Sequence, residues 1–344
     1  MLRRVLWFPV VVLALLSASG VTVAQTCGQV VTGTLRLTAD LYCRGPGPAL
    51  LLTGSSPRLE LAGFRIDMGR SGANAIEIAH AHQAQVTGPG TLSGAGIAVS
   101  VFRSQGVDLY DIQIEGSDAG VFATDSSQVA VSSNRFAKIK QQAVFIGSTP
   151  GGTLPTFGAV VMSNRMESVG SGIHLCGQGT TDARVRHNTI RDANGWGILI
   201  YDGASYAKVH QNSIEVSAFQ PAIEVRAGQM NTIHDNTLTG NRIASGIVVA
   251  SLVGQTCAVN STATADRNIF SRNTVRGFVH GARVGYGSAR VAHLNNLQGN
   301  LFEGNGIDIL LEKDAFATDA RGNDQGVRGA GSVVVSDAGS LSLY

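Results

Sequence analysis

A short aliphatic block recurs about every 24 residues along most of this chain. Its ten copies are spaced 21 to 31 residues apart and include AIEI at 75–78, GILI at 197–200, AIEV at 222–225 and GFVH at 277–280. A fixed period of this length is typical of solenoids and arrays. Apolar and polar residues alternate within each period, which indicates β-strands. We therefore expect stacked parallel strands, because a coil places the next strand one full turn away.

A second marker, an asparagine that precedes a short apolar run, recurs with about the same spacing as the aliphatic block. It occurs at Asn134, Asn164, Asn188, Asn212, Asn236, Asn273 and Asn300. When such residues stack at one bend, each amide can hydrogen-bond to the turns above and below it. The marker therefore predicts a ladder of asparagines with a structural role.

Together the two markers resemble the repeats of the right-handed parallel β-helix superfamily, typified by pectate lyases, polygalacturonases and mannuronan epimerases. The resemblance runs from Cys27 to Glu312. It implies an all-β, right-handed parallel β-helix of about ten coils, with the helix and its N-terminal cap over 26–312 and a C-terminal cap or tail over 313–344. The Asp-Pro-His-Asp type motif of the epimerases and the paired-Asp motifs of the polygalacturonases are both missing from the sequence. The resemblance thus identifies a fold and leaves the enzyme family open.

The first 25 residues have the features of a secretory signal peptide. Arg3 and Arg4 precede an apolar stretch over 5–16, and Ala24 ends a small-residue cleavage site. Removal of the two arginines leaves 24 basic against 24 acidic residues, a balance that does not favour a nucleic-acid or membrane-surface partner. No later segment is long enough to span a membrane. We expect a secreted or periplasmic protein of undetermined oligomeric state.

Four cysteines suit an oxidising compartment. Cys27 and Cys43 bracket one strand-like segment and are predicted to form a disulfide in the first coil. Cys176 and Cys257 are predicted to form a second one, which folds a long loop over the neighbouring surface. No Cys or His pair has the spacing of zinc ligands, and no clear acidic cluster supports a calcium site. We therefore expect no metal and no cofactor.

Two columns of side chains are predicted to point outward from the aliphatic blocks. The first column is Glu77, Ala98, Phe122, Phe145, His174, Leu199, Glu224 and Val248, and the second is Ala79, Ser100, Thr124, Gly147, Cys176, Tyr201, Arg226 and Ala250. Three consecutive coils therefore place His174, Tyr201, Glu224 and Arg226 on one outward patch, with Asp202 at its rim. Long insertions at 147–158 and 251–266 are expected to wall this patch, as loops on a rigid scaffold do at binding sites.

A neighbouring strand carries a basic strip on the same three coils. Its members are Arg184, Arg186, Lys208, His210 and His234. A strip of stacked cations would suit a polyanion such as a polyuronate. Whether the strip and the patch share a groove depends on the cross-section of the coil, which the pattern leaves open.

These residue types favour an acidic polysaccharide as the partner, and β-elimination or C5-epimerisation of a uronate as the chemistry. Arg226 would neutralise the substrate carboxylate, and His174 or Tyr201 would act as base with the other as acid. Glycoside hydrolysis would instead use Glu224 and Asp202 as paired carboxylates. The alternative is a non-catalytic glycan-binding or envelope β-helix, in which Glu224 and Arg226 form a simple ion pair.

Overall fold

The computed structural model describes residues 25–149, 154–251, 257, 264–285, 292–312, 315–316, 318–320, 322–325 and 333–335. These residues form a parallel β-helix of about eleven turns and contain no helix. Each turn contributes a strand to three ladders, here called I, II and III, in which every strand pairs in parallel with the strands one turn away. The predicted fold class is confirmed. The predicted signal peptide lies outside the described residues.

Ladder I comprises Gln29–Val31, Leu50–Ser55, Ile76–His82, Ile97–Phe102, Ala119–Thr124, the last part of Arg135–Gly147, the last part of Arg165–Cys176, Ile198–Tyr201, Ile223–Arg226, Ser245–Ala250, His280–Val284, Ile307–Leu311 and Val333–Val335. Ladder II comprises Thr34–Arg36, Arg58–Glu60, Gln85–Thr87, Gln105–Tyr110, Ser127–Ser132, Val160–Met162, Arg184–Arg186, Lys208–His210, Thr232–His234, Ile269–Ser271 and Asn296–Gln298. Ladder III comprises Leu41–Tyr42, Arg65–Asp67, Thr91–Ser93, Gln113–Glu115, the first parts of Arg135–Gly147 and Arg165–Cys176, Thr189–Ala193, Ser213–Val216, Thr237–Thr239, Thr274–Arg276, Leu301–Glu303 and Asp324–Gln325. Two short pairs lie outside the ladders: Thr156–Phe157 with Thr180–Thr181, and Ala292–His293 with Ala315–Phe316.

Alternate residues of all three ladders point inward and form one continuous core along the axis. In one turn Val185, Ile190, Ile198 and Ile200 are fully buried, and the next turn stacks equivalent aliphatic residues on them. The backbones approach closely at the corner before ladder I, where a Cβ on Gly197 would lie 2.5 Å from the carbonyl oxygen of Ala222. Glycine is therefore required at this corner.

The predicted asparagine ladder is present at the corner between ladders II and III. Each Nδ2 donates to the Oδ1 of the asparagine one turn on, as from Asn188 to Asn212 at 3.0 Å and from Asn212 to Asn236 at 2.9 Å. A second ladder, which the sequence markers did not reveal, runs through Asn231, Asn268 and Asn295 at the corner between ladders I and II. Both ladders satisfy amides that are almost fully buried.

The register shows that the predicted outward columns are wrong at one turn. Ser100, not Ala98, pairs beside Glu77 and Phe122, and Ala98 is fully buried. Inward and outward positions alternate along the whole run IAVSVF. A shift of two residues therefore leaves the pattern unchanged, and the sequence does not distinguish the two registers.

The block read as GFVH at 277–280 is also displaced. The strand of that turn is His280–Val284, in which Ala282 and Val284 point inward. Phe278 is a fully buried corner residue. In the sequence its large apolar side chain resembles the first aliphatic residue of a block. The outward residue that follows Val248 is therefore Arg283.

Candidate functional site

The predicted patch forms on ladder I, where three consecutive turns bring its members side by side. His174 pairs beside Leu199 and then Glu224 in one column. Tyr201 lies between Cys176 and Arg226 in the other column. The structure therefore brings all four residues together. The 24-residue period stacks equivalent positions of consecutive turns, and positions two apart on one strand point to the same side.

The patch is covered rather than open to solvent, which corrects the expectation of an exposed outward surface. His174 and Glu224 are each 3% exposed and Tyr201 is 6% exposed. The predicted disulfide between Cys176 and Cys257 is present, and it holds Cys257 against this surface. Phe145, Leu199, Tyr201 and the two cysteines form a small apolar cluster outside the coil. Burial of this outer cluster removes the patch from water.

Trp196, which the sequence reasoning missed, completes the patch from the corner before ladder I. Its Nε1 donates a hydrogen bond to Oε2 of Glu224, and the guanidinium carbon of Arg226 lies 5.3 Å from the centre of its ring. Glu224 accepts two hydrogen bonds from Arg226, at 2.8 and 3.1 Å. The available signal was a tryptophan flanked by two glycines at the edge of an aliphatic block.

His174 is a buried imidazole in an aromatic setting. Its ring contacts those of Trp196 and Tyr201 edge to face, with centroids 5.8 and 5.7 Å apart. Within the described part of the chain neither ring nitrogen has a hydrogen-bond partner. Burial, and next the positive charge of Arg226, lower the pKa of His174 to about 3. The imidazole is therefore neutral across the physiological range.

The pKa of Tyr201 is shifted in the opposite direction. Burial, and then the negative charge of Asp202, raise the pKa of its hydroxyl above the ordinary range, and the charge of Arg226 opposes this only in part. The hydroxyl stays protonated at neutral pH. Neither predicted proton-transfer group therefore has a pKa near the working pH that acid–base catalysis requires.

Asp202 lies against Cys257 rather than at an open rim. It is fully buried and accepts a hydrogen bond at 3.2 Å from the backbone N–H of Cys257. A carboxylate oxygen of Asp202 and the two sulfurs of Cys176 and Cys257 lie within 4.8 Å of one another. Because the sulfurs are bonded to each other, this group provides no thiolate.

The basic strip forms on ladder II, so the strip and the patch occupy different ladders. Arg184 pairs beside Lys208 in one column, and Arg186, His210 and His234 follow one another in a second. Arg184 and Lys208 are exposed. Among the described residues no ion pair involves Arg184, Arg186 or Lys208. The charges of Arg184 and Lys208 are therefore directed to solvent, whereas Arg186 is half-buried against Met162.

The histidines of the strip are stacked. The rings of His210 and His234 are parallel within 2°, with centroids 4.9 Å apart. His187, at the following corner, contacts His210 edge to face at 6.2 Å. Oδ2 of Asp235 lies 2.6 Å from Nδ1 of His234, and the Asp235 carboxylate accepts two hydrogen bonds at 2.8 Å from Arg272. Sequence reasoning missed His187 and Arg272 because both lie in turns outside the strand pattern.

Comparison with known proteins supports this architecture. The family model described as periplasmic copper-binding protein (NosD) matches residues 74–281. No curated protein has a sequence that matches this chain.

Solved structures of several other proteins share the fold. PfbA, a surface adhesin of Streptococcus pneumoniae, is 11% identical over 82% of this chain and 81% of its own, with a TM-score of 0.57. A tailspike mutant of E. coli bacteriophage HK620, in complex with pentasaccharide, is 10% identical over 89% and 69%, with a TM-score of 0.58. A GH136 lacto-N-biosidase from Eubacterium ramulus is 9% identical over 89% and 63%, with a TM-score of 0.56. At these identities the likeness extends to the fold alone.

Proposed function

This chain belongs to the NosD family, and from that premise we propose that it is an exported β-helix protein that binds an acidic saccharide on ladder II without transforming it. One observation carries the proposal: Arg184, Lys208, Arg186, His210 and His234 are stacked on three consecutive turns, and the first two are exposed. The two disulfides and the family description agree with an extracellular or periplasmic location.

The spacing of the strip suits a linear ligand. Consecutive turns of stacked strands are about 4.8 Å apart, so Arg184, Arg186 and Lys208 present fixed cations on two neighbouring steps and His234 follows on the third. A chain of sugars with repeated carboxylate or sulfate groups could place anions opposite successive turns. Unpaired surface cations attract such a ligand and raise its association rate.

The fold has precedents for saccharide ligands. The HK620 tailspike is described in complex with a pentasaccharide, and the Eubacterium ramulus protein is described as a lacto-N-biosidase. PfbA is described as a surface adhesin. These neighbours support a saccharide-binding or surface role and supply no assignment of residues.

The patch on ladder I favours a role other than lyase or epimerase chemistry. Proton abstraction next to a carboxylate needs a base with a pKa near the working pH. The pKa of His174 is about 3 and that of Tyr201 is raised, and Arg226 is already held by Glu224. Hydrolysis would need two carboxylates across a substrate, whereas Asp202 is fully buried beside Cys257.

The family description names copper, and the described residues of this chain do not fit a copper centre. Cys176 and Cys257 are closed in a disulfide. The lone pairs of an imidazole lie in its ring plane, so the parallel rings of His210 and His234 do not direct them at one point.

Binding can be tested with polygalacturonate immobilised on a sensor surface. We expect saturable binding that weakens as salt is raised, because exposed charges are screened. The Arg184→Ser/Lys208→Ser variant should bind at least about tenfold more weakly. The control Arg58→Ser/Arg191→Ser removes the same charge from exposed positions distant on ladder II and on ladder III.

Two results would overturn the proposal. Equal loss of binding in both double variants would mean that net charge, and not the strip, holds the ligand. Accumulation of unsaturated product, seen by ultraviolet absorbance, would show a lyase instead of a binding protein.

A further inference from the structure

One column of ladder II places two imidazoles directly next to a fixed positive charge. Arg186, His210 and His234 are in register on consecutive turns, and Met162 and Ser271 continue the column on either side. The two imidazole rings are parallel at 4.9 Å. Both histidines are half-buried, so they face solvent along one edge only.

Hydrogen bonds fix which ring nitrogen carries the proton. Nδ1 of His210 lies 3.1 Å from Oε1 of Gln211, and Nδ1 of His234 lies 2.6 Å from Oδ2 of Asp235. Amide and carboxylate oxygens only accept, so these contacts favour Nδ1 as the donor in both rings, against the longer contact of 3.4 Å between Nη2 of Arg272 and Nδ1 of His234. Nε2 is then the unprotonated nitrogen, and its lone pair repels the oxygen of an anion. Protonation converts Nε2 into a donor that an anion can accept from.

The surrounding cations work against protonation of His210 until an anion arrives. Burial is the main cause that lowers the pKa of His210, the contact with Gln211 opposes it, and His234, Arg186 and His187 lower it further. Lys208 adds a cation two residues away on the same strand. Around His234 the charged groups are Asp235 and Arg272, which are paired with each other. The pKa of the Asp235 carboxyl is held well below its usual range, first by Arg272 and then by His234.

Resting on the proposed function, we propose that the acidic ligand is a linear polyanion that lies along the axis over Arg186, His210 and His234, and that its binding is coupled to protonation of the two stacked histidines. Each histidine that is protonated on binding adds one positive charge to that of Arg186. Two stacked imidazolium rings need counter-charges at the same short spacing, so the column selects a ligand with anionic groups close together along its length.

The sign of the pH dependence follows from linkage. A bound anion stabilises the imidazolium form, so a histidine beside it takes up a proton at a higher pH than in the free protein. Affinity must then rise as pH falls between the bound and the free pKa, by about tenfold per pH unit for each proton taken up. Above this window binding depends on Arg184, Arg186 and Lys208 alone.

Titration calorimetry with the mature protein tests the coupling. The probes are dextran sulfate, whose charge is constant from about pH 5.5 to pH 8, and polygalacturonate. Titrations in two buffers of different ionisation enthalpy give the number of protons taken up per binding event. We expect net uptake by the wild type, and affinity for dextran sulfate that weakens at least tenfold over this range.

A pair of variants separates this coupling from a structural role. His210→Gln/His234→Gln should retain the weaker affinity seen at high pH and lose proton uptake. The control His80→Gln/His82→Gln removes two exposed histidines of ladder I and should behave as the wild type. Binding without proton uptake in the wild type would overturn this inference and leave the proposed function standing, as would equal uptake in the His210→Gln/His234→Gln variant. Failure to bind either polymer at about pH 5.5 would overturn both.

Discussion

Cys176 and Cys257, 81 residues apart in sequence, are joined by a disulfide outside the coil at ladder I. Beside this disulfide His174, Tyr201 and Glu224 are removed from solvent although their strand positions point outward. A solenoid buries its inner residues automatically, because they face the axis. Burial on the outside requires a contact from another part of the chain, and Cys257 supplies one in the outer apolar cluster.

Loss of this disulfide should destabilise the protein more than loss of the disulfide between Cys27 and Cys43, which spans 16 residues. The Cys176→Ser/Cys257→Ser variant should lose about 2–5 kcal/mol of unfolding free energy. In the chain-entropy account the longer loop adds ~1.4 kcal/mol relative to the shorter one. Urea unfolding of the two double variants measures both values, and an equal loss would contradict the loop-length argument.

His174→Leu should leave stability at neutral pH unchanged or raise it by about 1 kcal/mol, because it removes two buried nitrogens that lack partners among the described residues. The larger effect of this substitution is on stability at acidic pH. The pKa of His174 is lowered from 6.5 to about 3 on folding. The wild type is therefore fully stabilised above pH 6.5 and loses stability as pH falls toward 3, by up to about 5 kcal/mol.

Unfolding curves recorded at several pH values test this prediction. The His174→Leu variant should lose less stability than the wild type over the same acid range. Parallel stability profiles for the two proteins would show that His174 is not the group that titrates.

Removal of one member of the asparagine ladder should be costly. Asn212→Ala deletes hydrogen bonds to Asn188 and Asn236 and to the carbonyl of Val185, and leaves buried partners unsatisfied. We expect a loss of about 3 kcal/mol, measured by thermal or urea unfolding. Asn194→Ala, at an exposed position, is the control and should change stability by less than about 0.5 kcal/mol.

Arg226→Met should destabilise the fold by roughly 2 kcal/mol or more, because it leaves the buried carboxylate of Glu224 without its counter-charge. The double variant Glu224→Leu/Arg226→Met removes both charges and should recover most of the loss. A double-mutant cycle measures the coupling between the two residues. A double variant that is less stable than Arg226→Met would contradict this assignment.

The 24-residue period by itself determined the architecture, the asparagine ladder and the columns of the central turns. Each of these follows from one physical requirement, namely that a coil of parallel strands places equivalent residues one above another. His174, Glu224 and Arg226 were therefore predictable neighbours. The repeat also indicated the two insertions as departures from its spacing.

Tertiary structure alone decided three matters. The alternation of IAVSVF tolerates a shift by two residues, so only pairing with the adjacent turns placed Ser100 and not Ala98 beside Glu77. The cross-section of the coil assigned the basic strip and the patch to different ladders. The contacts around the predicted Cys176–Cys257 disulfide buried the outward patch. A linear pattern records which residues share a strand face, and it does not say how far contacts made outside the coil bury that face.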